Sequence, residues 1–192
     1  MVMIAKKRNV CLVLDNIRSV HNVGSIFRTA ETLGISEIYC LGTTPTPTDR
    51  FGNIRKDFVK VSLGAENFMK WKHVGDSVND HLEEHLEKRA GDGDFKKTKA
   101  LIISLKKKGF KIIGLEQSSK SIDYKKVRLH QSSKSQNLTS PVAIILGNEV
   151  DGVSPKLLKL ADMIAEIPML GRKESLNVSV AAGIFLYRLL DN

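Results

Sequence analysis

The chain has 192 residues, of which 42% are hydrophobic and 27% charged, and this size and balance fit one globular domain with a sizeable core. The composition argues against a largely disordered chain, and no apolar run approaches the roughly 20 residues that a membrane-spanning helix needs. The first residues lack the apolar stretch of a signal peptide, so we expect a cytoplasmic protein without a membrane partner.

The net charge is +9, and the positive excess is concentrated in one part of the chain. Residues 106–135 contain two acidic residues, Glu116 and Asp123, and the nine basic residues Lys106, Lys107, Lys108, Lys111, Lys120, Lys125, Lys126, Arg128 and Lys134. Such a concentration favours a polyanionic partner such as a nucleic acid, although a solvated basic face gives the same pattern.

The first part of the chain alternates strand and helix patterns. A continuous apolar run at 10–15 predicts a strand buried on both faces, and a helix is expected from about Asn22 to Gly34. The apolar stripe of this helix consists of Val23, Ile26, Phe27, Ala30 and Leu33. Residues 37–42 predict a second strand, and the proline-containing stretch 43–53 predicts a loop.

The remaining elements are predicted with the same rules. Residues 54–75 are weakly patterned, with at most one helical turn. Then come helices at about 78–89 and 95–108, a strand at 110–115, a loop at 117–140, a strand at 142–149, a helix from Pro155 to about Leu160, a strand at 163–168 and a helix at about 177–190. This alternation indicates an α/β domain with a mostly parallel sheet flanked by helices.

The two cysteines, Cys11 and Cys40, both lie in predicted strands, and neither has a CxxC partner or a nearby histidine cluster. We therefore expect reduced thiols in the core and no metal site.

Polar residues follow three of the predicted strands, at the edge where open α/β sheets bind their ligands. Asn22 and Arg28 come after the first strand, Glu149 lies in the stretch LGNEVDG, and Ser175 and Asn177 lie in IPMLGRKESLN. Each residue alone also has a purely structural interpretation, as a turn acid, a helix cap or a surface cation.

Taken together, NVGSIFRTAE, AIILGNEVDGVS and IPMLGRKESLNVSVAAG resemble the three motifs of the SpoU/TrmH-type branch of the SPOUT superfamily of RNA 2′-O-ribose methyltransferases. The motifs stand in the family's order, within a framework that covers about residues 9–190. The resemblance implies a sheet flanked by helices with a deep C-terminal trefoil knot, which general folding rules would not predict. It also implies one domain over 1–192, with a charged helical insertion at about 76–109 and no separate RNA-binding domain before it.

The resemblance further implies S-adenosyl-L-methionine as the cofactor, held by backbone groups of three knot loops, and no metal. The positions that match the family's cofactor-binding loops are Leu115, Leu146, Gly147, Ile167, Pro168, Met169 and Leu176. Adenine needs an apolar slot with main-chain hydrogen bonds, and a glycine lets the backbone come close.

The reaction implied is methyl transfer to a ribose 2′-hydroxyl of tRNA or rRNA. Arg28 matches the catalytic arginine of the family, while Asn22, Glu149, Ser175 and Asn177 match other positions of the catalytic centre. A guanidinium, with a pKa above about 12, is a poor general base, so a role in positioning phosphate and stabilising the developing alkoxide is physically easier.

The resemblance implies a homodimer as well. A helix covered by protein on both sides should be apolar all round, as residues 178–190 nearly are, with Ser179 and Arg188 as exceptions.

Two other functions stay open: base methylation by another branch of the superfamily, and a catalytically silent RNA-binding or ribosome-assembly factor on the same fold. An ordinary dinucleotide-binding enzyme is disfavoured, because no glycine-rich turn follows the first strand.

Overall fold

The computed structural model describes residues 9–75, 92–127 and 140–190. In this part of the chain seven strands are present: β1 (Val10–Asp15), β2 (Glu37–Leu41), β3 (Trp71–Val74), β4 (Lys111–Leu115), β5 (Ile122–Asp123), β6 (Val142–Leu146) and β7 (Met163–Glu166). They form one sheet in the order β3-β2-β1-β6-β4-β7-β5, and every neighbouring pair is parallel. The predicted parallel α/β sheet is confirmed.

The described helices are α1 (Val20–Thr32), α2 (Lys56–Ser62), α3 (Asp92–Lys107), α4 (Pro155–Leu158) and α5 (Val178–Leu190). Helices α1, α2 and α5 contribute to one buried cluster, while α3 and α4 contribute to a second cluster. The central strand β1 supplies both clusters, with Leu12 and Leu14 in the first and Cys11 and Val13 in the second. Because successive side chains of a strand point to opposite faces, a strand covered on both faces is apolar along most of its length, as β1 is up to Asp15 at its carboxyl end.

Both cysteines are buried and free, as expected. Burial raises the pKa of Cys40 to about 12, and burial together with nearby Glu37 raises the pKa of Cys11 to about 12. These thiols therefore stay protonated at neutral pH and behave as small core side chains.

The predicted stripe of α1 is buried, with Leu33 packed at its edge. The helix begins earlier than expected, at Val20, because the Ser19 hydroxyl accepts a hydrogen bond from the backbone N–H of Asn22. Its buried face meets α2, where the rings of Phe27 and Phe58 pack edge to face with centroids 5.1 Å apart.

The segment between β2 and α3 was the least predictable part of the described chain. Instead of one turn it contains α2, a 3-10 turn at Ala65–Asn67 and strand β3. Helix α2 has seven residues and buries only Phe58 and Ser62, so it lacks the long apolar stripe that periodicity detects.

Other boundaries also differ from the expectation. Strand β6 ends at Leu146 rather than 149, since Asn148 pairs with Gly152 in a tight return. The stretch 117–140, predicted as a loop, contains the short strand β5 and a 3-10 turn at Tyr124–Lys126. The predicted helix at 78–89 lies outside the described residues.

Helix α3 begins at Asp92, inside the GDGD stretch that was expected to precede it. Its side chains Ile102 and Leu105 are buried in the second cluster. The helix is therefore part of the core, as the crossover between β3 and β4.

Helix α5 has one buried and one exposed apolar face. Ala182, Phe185, Leu186 and Leu189 pack into the first cluster, while Val180, Ile184 and Tyr187 form an exposed stripe. The expected cover on both sides of this helix is present on one side among the described residues, and the exposed stripe is the other side. No helix among the described residues has the length and apolar character to cross a membrane.

Candidate active site

A cavity of about 420 Å³ opens at the carboxyl ends of β4, β6 and β7, the edge where ligands of parallel sheets bind. Six of the seven positions expected to hold a cofactor line it: Leu115, Leu146, Gly147, Ile167, Met169 and Leu176. The seventh, Pro168, is not among the lining residues. The lining also contains four carboxylates, those of Glu116, Glu149, Asp151 and Glu166.

Two glycines shape the loop after β6. Gly147 and Gly152 lie so close that a side chain on Gly147 would overlap the backbone of Gly152. Asn148 and Gly152 exchange two backbone hydrogen bonds of 3.1 Å, which fold the loop back on itself. Gly152 also has a positive φ of 67°, a conformation that other residues adopt at a cost.

Glu116, just after β4, joins two of the cavity loops. Its Oε2 accepts a hydrogen bond from the backbone N–H of Val153 at 2.8 Å, and its Oε1 accepts one from the N–H of Gln117 at 2.8 Å. The Gln117 amide in turn donates to the carbonyl of Glu174 at 2.6 Å, in the third loop. Sequence reasoning missed both residues, although polar side chains directly after a buried strand were the signal used for the other loops.

Asp15 anchors the far end of the loop after β6. This side chain is only 4% exposed, and its Oδ2 accepts the backbone N–H of Ser154 at 2.9 Å, at the start of α4. Burial raises the pKa of Asp15, while hydrogen bonds from Ser154 and Asn16 lower it in part. This position too was missed, because a single acid at the end of a strand has no distinctive spacing.

Asn22, Glu149 and Asn177, which come from three separate motifs, are joined by hydrogen bonds; Glu149 and Asn177 line the cavity, whereas Asn22 is not among the lining residues. The Asn22 amide donates to Glu149 Oε1 at 2.6 Å, and the Asn177 amide donates to Asn22 Oδ1 at 3.0 Å. Asn22 lies far from the other two residues in the sequence. The three meet because they follow β1, β6 and β7, parallel strands whose carboxyl ends lie at the same edge of the sheet.

Glu149 is held by the start of α1. Its two oxygens accept backbone N–H groups of Arg18 at 3.1 Å and Ser19 at 3.2 Å, in addition to the Asn22 amide. Partial burial by itself raises the pKa of Glu149, but these hydrogen bonds lower it by more, so its pKa lies below the ordinary value. The carboxylate is therefore ionised at neutral pH and is a weak base.

Asn177 combines the two roles that the sequence left open. Its Oδ1 accepts the N–H and hydroxyl of Ser179 at 2.9 and 2.7 Å, so the side chain caps α5. Its amide nitrogen is left to contact Asn22. The helix cap thus also ties α5 to α1 at the cavity.

Ser175 lines the cavity, whereas Arg28 does not. Arg28 is exposed on α1, and its guanidinium has no hydrogen-bond or ion-pair partner among the described residues. It lies six residues after Asn22, or about 9 Å further along the helix axis. Within the described ranges, no group of three or more His, Cys, Asp and Glu side chains could hold a metal.

Comparisons with known proteins identify the family of this chain. The sequence model of the SpoU rRNA Methylase family matches residues 9–91 and 93–187. A tRNA (guanosine(18)-2′-O)-methyltransferase of Aquifex aeolicus is 27% identical over 95% of this chain and 69% of its own length. An uncharacterized tRNA/rRNA methyltransferase of Archaeoglobus fulgidus is 30% identical over 93% of this chain and 62% of its own.

Solved structures show the same α/β fold. An AdoMet-bound rRNA methyltransferase from Sinorhizobium meliloti superposes with a TM-score of 0.71 and 23% identity, covering 95% of this chain and 56% of that one. The TrmH/SpoU tRNA modifying enzyme of A. aeolicus gives a TM-score of 0.67 and 24% identity, covering 97% and 76%. Since the family match extends over nearly the whole sequence, the chain belongs to the SpoU rRNA Methylase family.

Proposed function

We propose that this protein transfers a methyl group from S-adenosyl-L-methionine to a ribose 2′-hydroxyl of tRNA or rRNA. The observation that carries the proposal is the hydrogen-bonded set Asn22–Glu149–Asn177 at the mouth of the cavity, in a member of the SpoU family. The names of the similar tRNA and rRNA methyltransferases support the same reaction and substrate class.

The cavity fits the proposed cofactor. Leu115, Leu146 and Ile167 offer an apolar slot for an adenine, next to main-chain groups of the three loops. The carboxylates of Glu116 and Glu166 place negative charge where a cationic sulfonium would be favoured. When bound, S-adenosyl-L-methionine supplies a methyl group that the sulfonium has already activated, so no metal is needed in this proposal.

The polar set orients the ribose. Asn22 uses one amide hydrogen on Glu149 and keeps the other, so it can donate to a ribose oxygen. Both oxygens of Glu149 already accept hydrogen bonds from Arg18, Ser19 and Asn22, so we assign it the role of fixing Asn22, and the hydroxyl proton passes to solvent. Ser175, exposed at the cavity, is assigned to the third side of the same ribose.

Arg28 is assigned to the RNA rather than to the cofactor. Its exposed position outside the cavity supports contact with a phosphate of the bound RNA. We also assign it to the developing alkoxide, where a fixed cation lowers the barrier. Alignment of the two substrates contributes further, since holding two reactants in the reactive orientation can lower the activation barrier by roughly 7–11 kcal/mol relative to the reaction of free molecules.

The proposal includes a cytoplasmic homodimer with a C-terminal trefoil knot. The exposed stripe Val180, Ile184 and Tyr187 on α5 supports the dimer, because a second copy would cover it. One domain is proposed over 1–192. A charged helical insertion is proposed at about 76–109, and the core packing of Ile102 and Leu105 favours an insertion that ends before α3.

Comparing RNA from wild-type and deletion cells tests this function. Fragments mapped for 2′-O-methyl groups should lack one or a few sites in the deletion strain, and the missing sites would separate tRNA from rRNA. Re-expression of the unaltered protein should restore them, whereas Asn22→Ala should not. Identical 2′-O-methylation in both strains, or loss of a base methylation instead, would overturn the proposal.

A further inference from the structure

The loop after β2 ends in a rigid turn that holds an aromatic ring in solvent. Thr48 and Ile54 form an antiparallel bridge, and Arg55 donates its backbone N–H to the carbonyl of Pro47 at 2.9 Å. At the tip, the ring of Phe51 is 73% exposed, and the guanidinium of Arg50 lies 4.6 Å from its centroid. We call residues 47–55 the β2 hairpin.

The sequence TDRFGN explains why this hairpin is rigid. Asp49 accepts the N–H of Gly52 on its carbonyl at 3.0 Å, which closes a four-residue turn with Asp first and Gly last. The Asp49 carboxylate accepts two more backbone N–H groups, from Phe51 at 2.8 Å and Asn53 at 2.9 Å. Gly52 has a φ of 83°, which its lack of a side chain allows. These hydrogen bonds order the backbone that carries the exposed ring.

The segment that joins β2 to the hairpin is connected to the candidate active site through Thr44. Thr44 accepts the N–H of Ile17 at 3.1 Å and donates to the carbonyl of Leu14 at 3.0 Å, both at the end of β1. The next residues of that segment, Arg18 and Ser19, hold Glu149. Strand β2 lies two strands from β6, so the segment that leads to the hairpin leaves the same sheet edge about 10 Å from the end of β6.

The charges around Phe51 favour an anionic partner. Lys56 and Lys60 are exposed on α2, directly after the hairpin, and Arg50 adds a cation on the ring itself. With the Arg55–Asp57 pair at 2.8 Å and the turn acid Asp49 included, residues 49–60 contain four basic and two acidic residues and keep a net positive charge. An exposed aromatic ring beside cations is the arrangement with which proteins stack the bases of single-stranded nucleic acids.

We propose that the Arg50–Phe51 tip of the β2 hairpin stacks an unpaired base of the RNA substrate and so sets which nucleotide reaches the cavity. This inference rests on the proposed function, since it names a further contact of the same RNA. The partner is identified by chemistry alone: a flat base for the ring and a phosphodiester backbone for the adjoining cations.

Phe68 provides a matched control. It is 72% exposed, like Phe51, but it follows the 3-10 turn that leads into β3, near the opposite edge of the sheet. Phe51→Ala should raise the KM for RNA roughly 5- to 150-fold, the change that corresponds to stacking of one base. Phe68→Ala should leave this KM unchanged, and Phe51→Ala should leave the dissociation constant of S-adenosylhomocysteine unchanged.

A binding measurement tests the contact without catalysis. Phe51→Trp and Phe68→Trp each add one indole to the single native Trp71, and titration with single-stranded oligoadenylate should quench only the Phe51→Trp protein. Equal responses of both variants, no quenching of either, or a change of oligomeric mass in Phe51→Ala would overturn this inference. Absence of methyl transfer by the unaltered protein would instead count against the proposed function, while the fluorescence result would still decide the stacking contact.

Discussion

At the scale of single residues, the site separates groups that order the cavity from groups that face the RNA. Glu149 and Asn177 bind other parts of the chain and hold Asn22 between them. Arg28 contacts no side chain of the described part of the protein through a hydrogen bond or ion pair. Substitution of Glu149 or Asn177 is therefore expected to change the position of Asn22, whereas substitution of Arg28 is expected to change the rate of the reaction directly.

Arg28 gives the sharpest prediction of this kind. Arg28→Ala should leave folding and S-adenosylhomocysteine binding intact, since the side chain is exposed and outside the cavity. Methyl transfer should fall roughly 10²- to 10⁴-fold, the usual cost of losing a charge-stabilising group. Steady-state rates at saturating RNA measure this.

Arg28→Lys separates the two ways in which the cation can act. If a point charge suffices, lysine should recover much of the rate; if the planar fork must hold phosphate and ribose together, lysine should stay poor. Wild-type turnover of Arg28→Ala would remove this residue from the active site.

Glu116 is predicted to order the cavity although no motif drew attention to it. Glu116→Gln places an amide donor against one of the two backbone N–H groups that the carboxylate now accepts. A hydrogen bond to a charged group contributes about 1.5–3 kcal/mol, so S-adenosylhomocysteine should bind roughly 10- to 100-fold more weakly by calorimetry. The Val153 amide should also exchange its hydrogen faster.

Glu166→Gln is the control for this effect. Glu166 lines the same cavity, but its carboxylate has no hydrogen-bond partner in the described ranges. Equal losses of affinity in both variants would assign the effect to cavity charge rather than to the ordering of the loops by Glu116.

At the scale of elements, α5 exposes an apolar stripe, Val180, Ile184 and Tyr187, that the described residues do not cover. Ile184→Glu should convert the proposed dimer to a monomer, because it places a charge in the middle of the exposed stripe. Light scattering measures the mass. Ile103→Glu on α3 is the matched control, since Ile103 is 41% and Ile184 38% exposed. A wild-type protein that is already monomeric would contradict the dimer.

The sequence predicted elements well where one stripe or one run faces a large core. Strand β1 is one example, because burial on both faces makes its residues 10–14 an unbroken apolar run. Helix α5 is another, because one of its apolar faces packs into the core. Prediction failed at α2 and β5, which are short and half-buried, so their side chains carry no clear period. The motifs located Asn22, Glu149 and Asn177, but Glu116 and Asp15 act through backbone N–H groups whose position only the fold reveals.

At the scale of the whole molecule, the basic residues that the structure describes within 106–127 do not all lie around the cavity. Lys106 pairs with Asp162 at 2.6 Å, at the amino ends of the strands, whereas the cavity is at their carboxyl ends. Asp162 also accepts the backbone N–H of Ile112 at 2.8 Å, so Lys106 has a structural partner. Lys107 and Lys108 are exposed beside it.

Because Lys106 is paired with Asp162, we expect Lys107 and Lys108, rather than Lys106, to contribute to RNA binding. The double variant Lys107→Ala, Lys108→Ala should flatten the slope of log affinity against log salt by about 0.7–0.9 for each phosphate that it no longer neutralises. Lys106→Ala should lower thermal stability, because it removes the ion pair with Asp162. An unchanged slope in the double variant would make these lysines a solubilising face.

The most direct measurement of the central claim is methyl transfer by the purified protein. Protein, RNA and S-adenosyl-L-methionine labelled in its methyl group are incubated, and the RNA is hydrolysed with alkali. A methylated 2′-oxygen blocks cleavage at its own phosphodiester, so the label should appear in an alkali-resistant dinucleotide. It should be almost absent with Asn22→Ala, which breaks the bonds to Glu149 and Asn177. Label recovered only in mononucleotides, as a methylated base, would contradict the account.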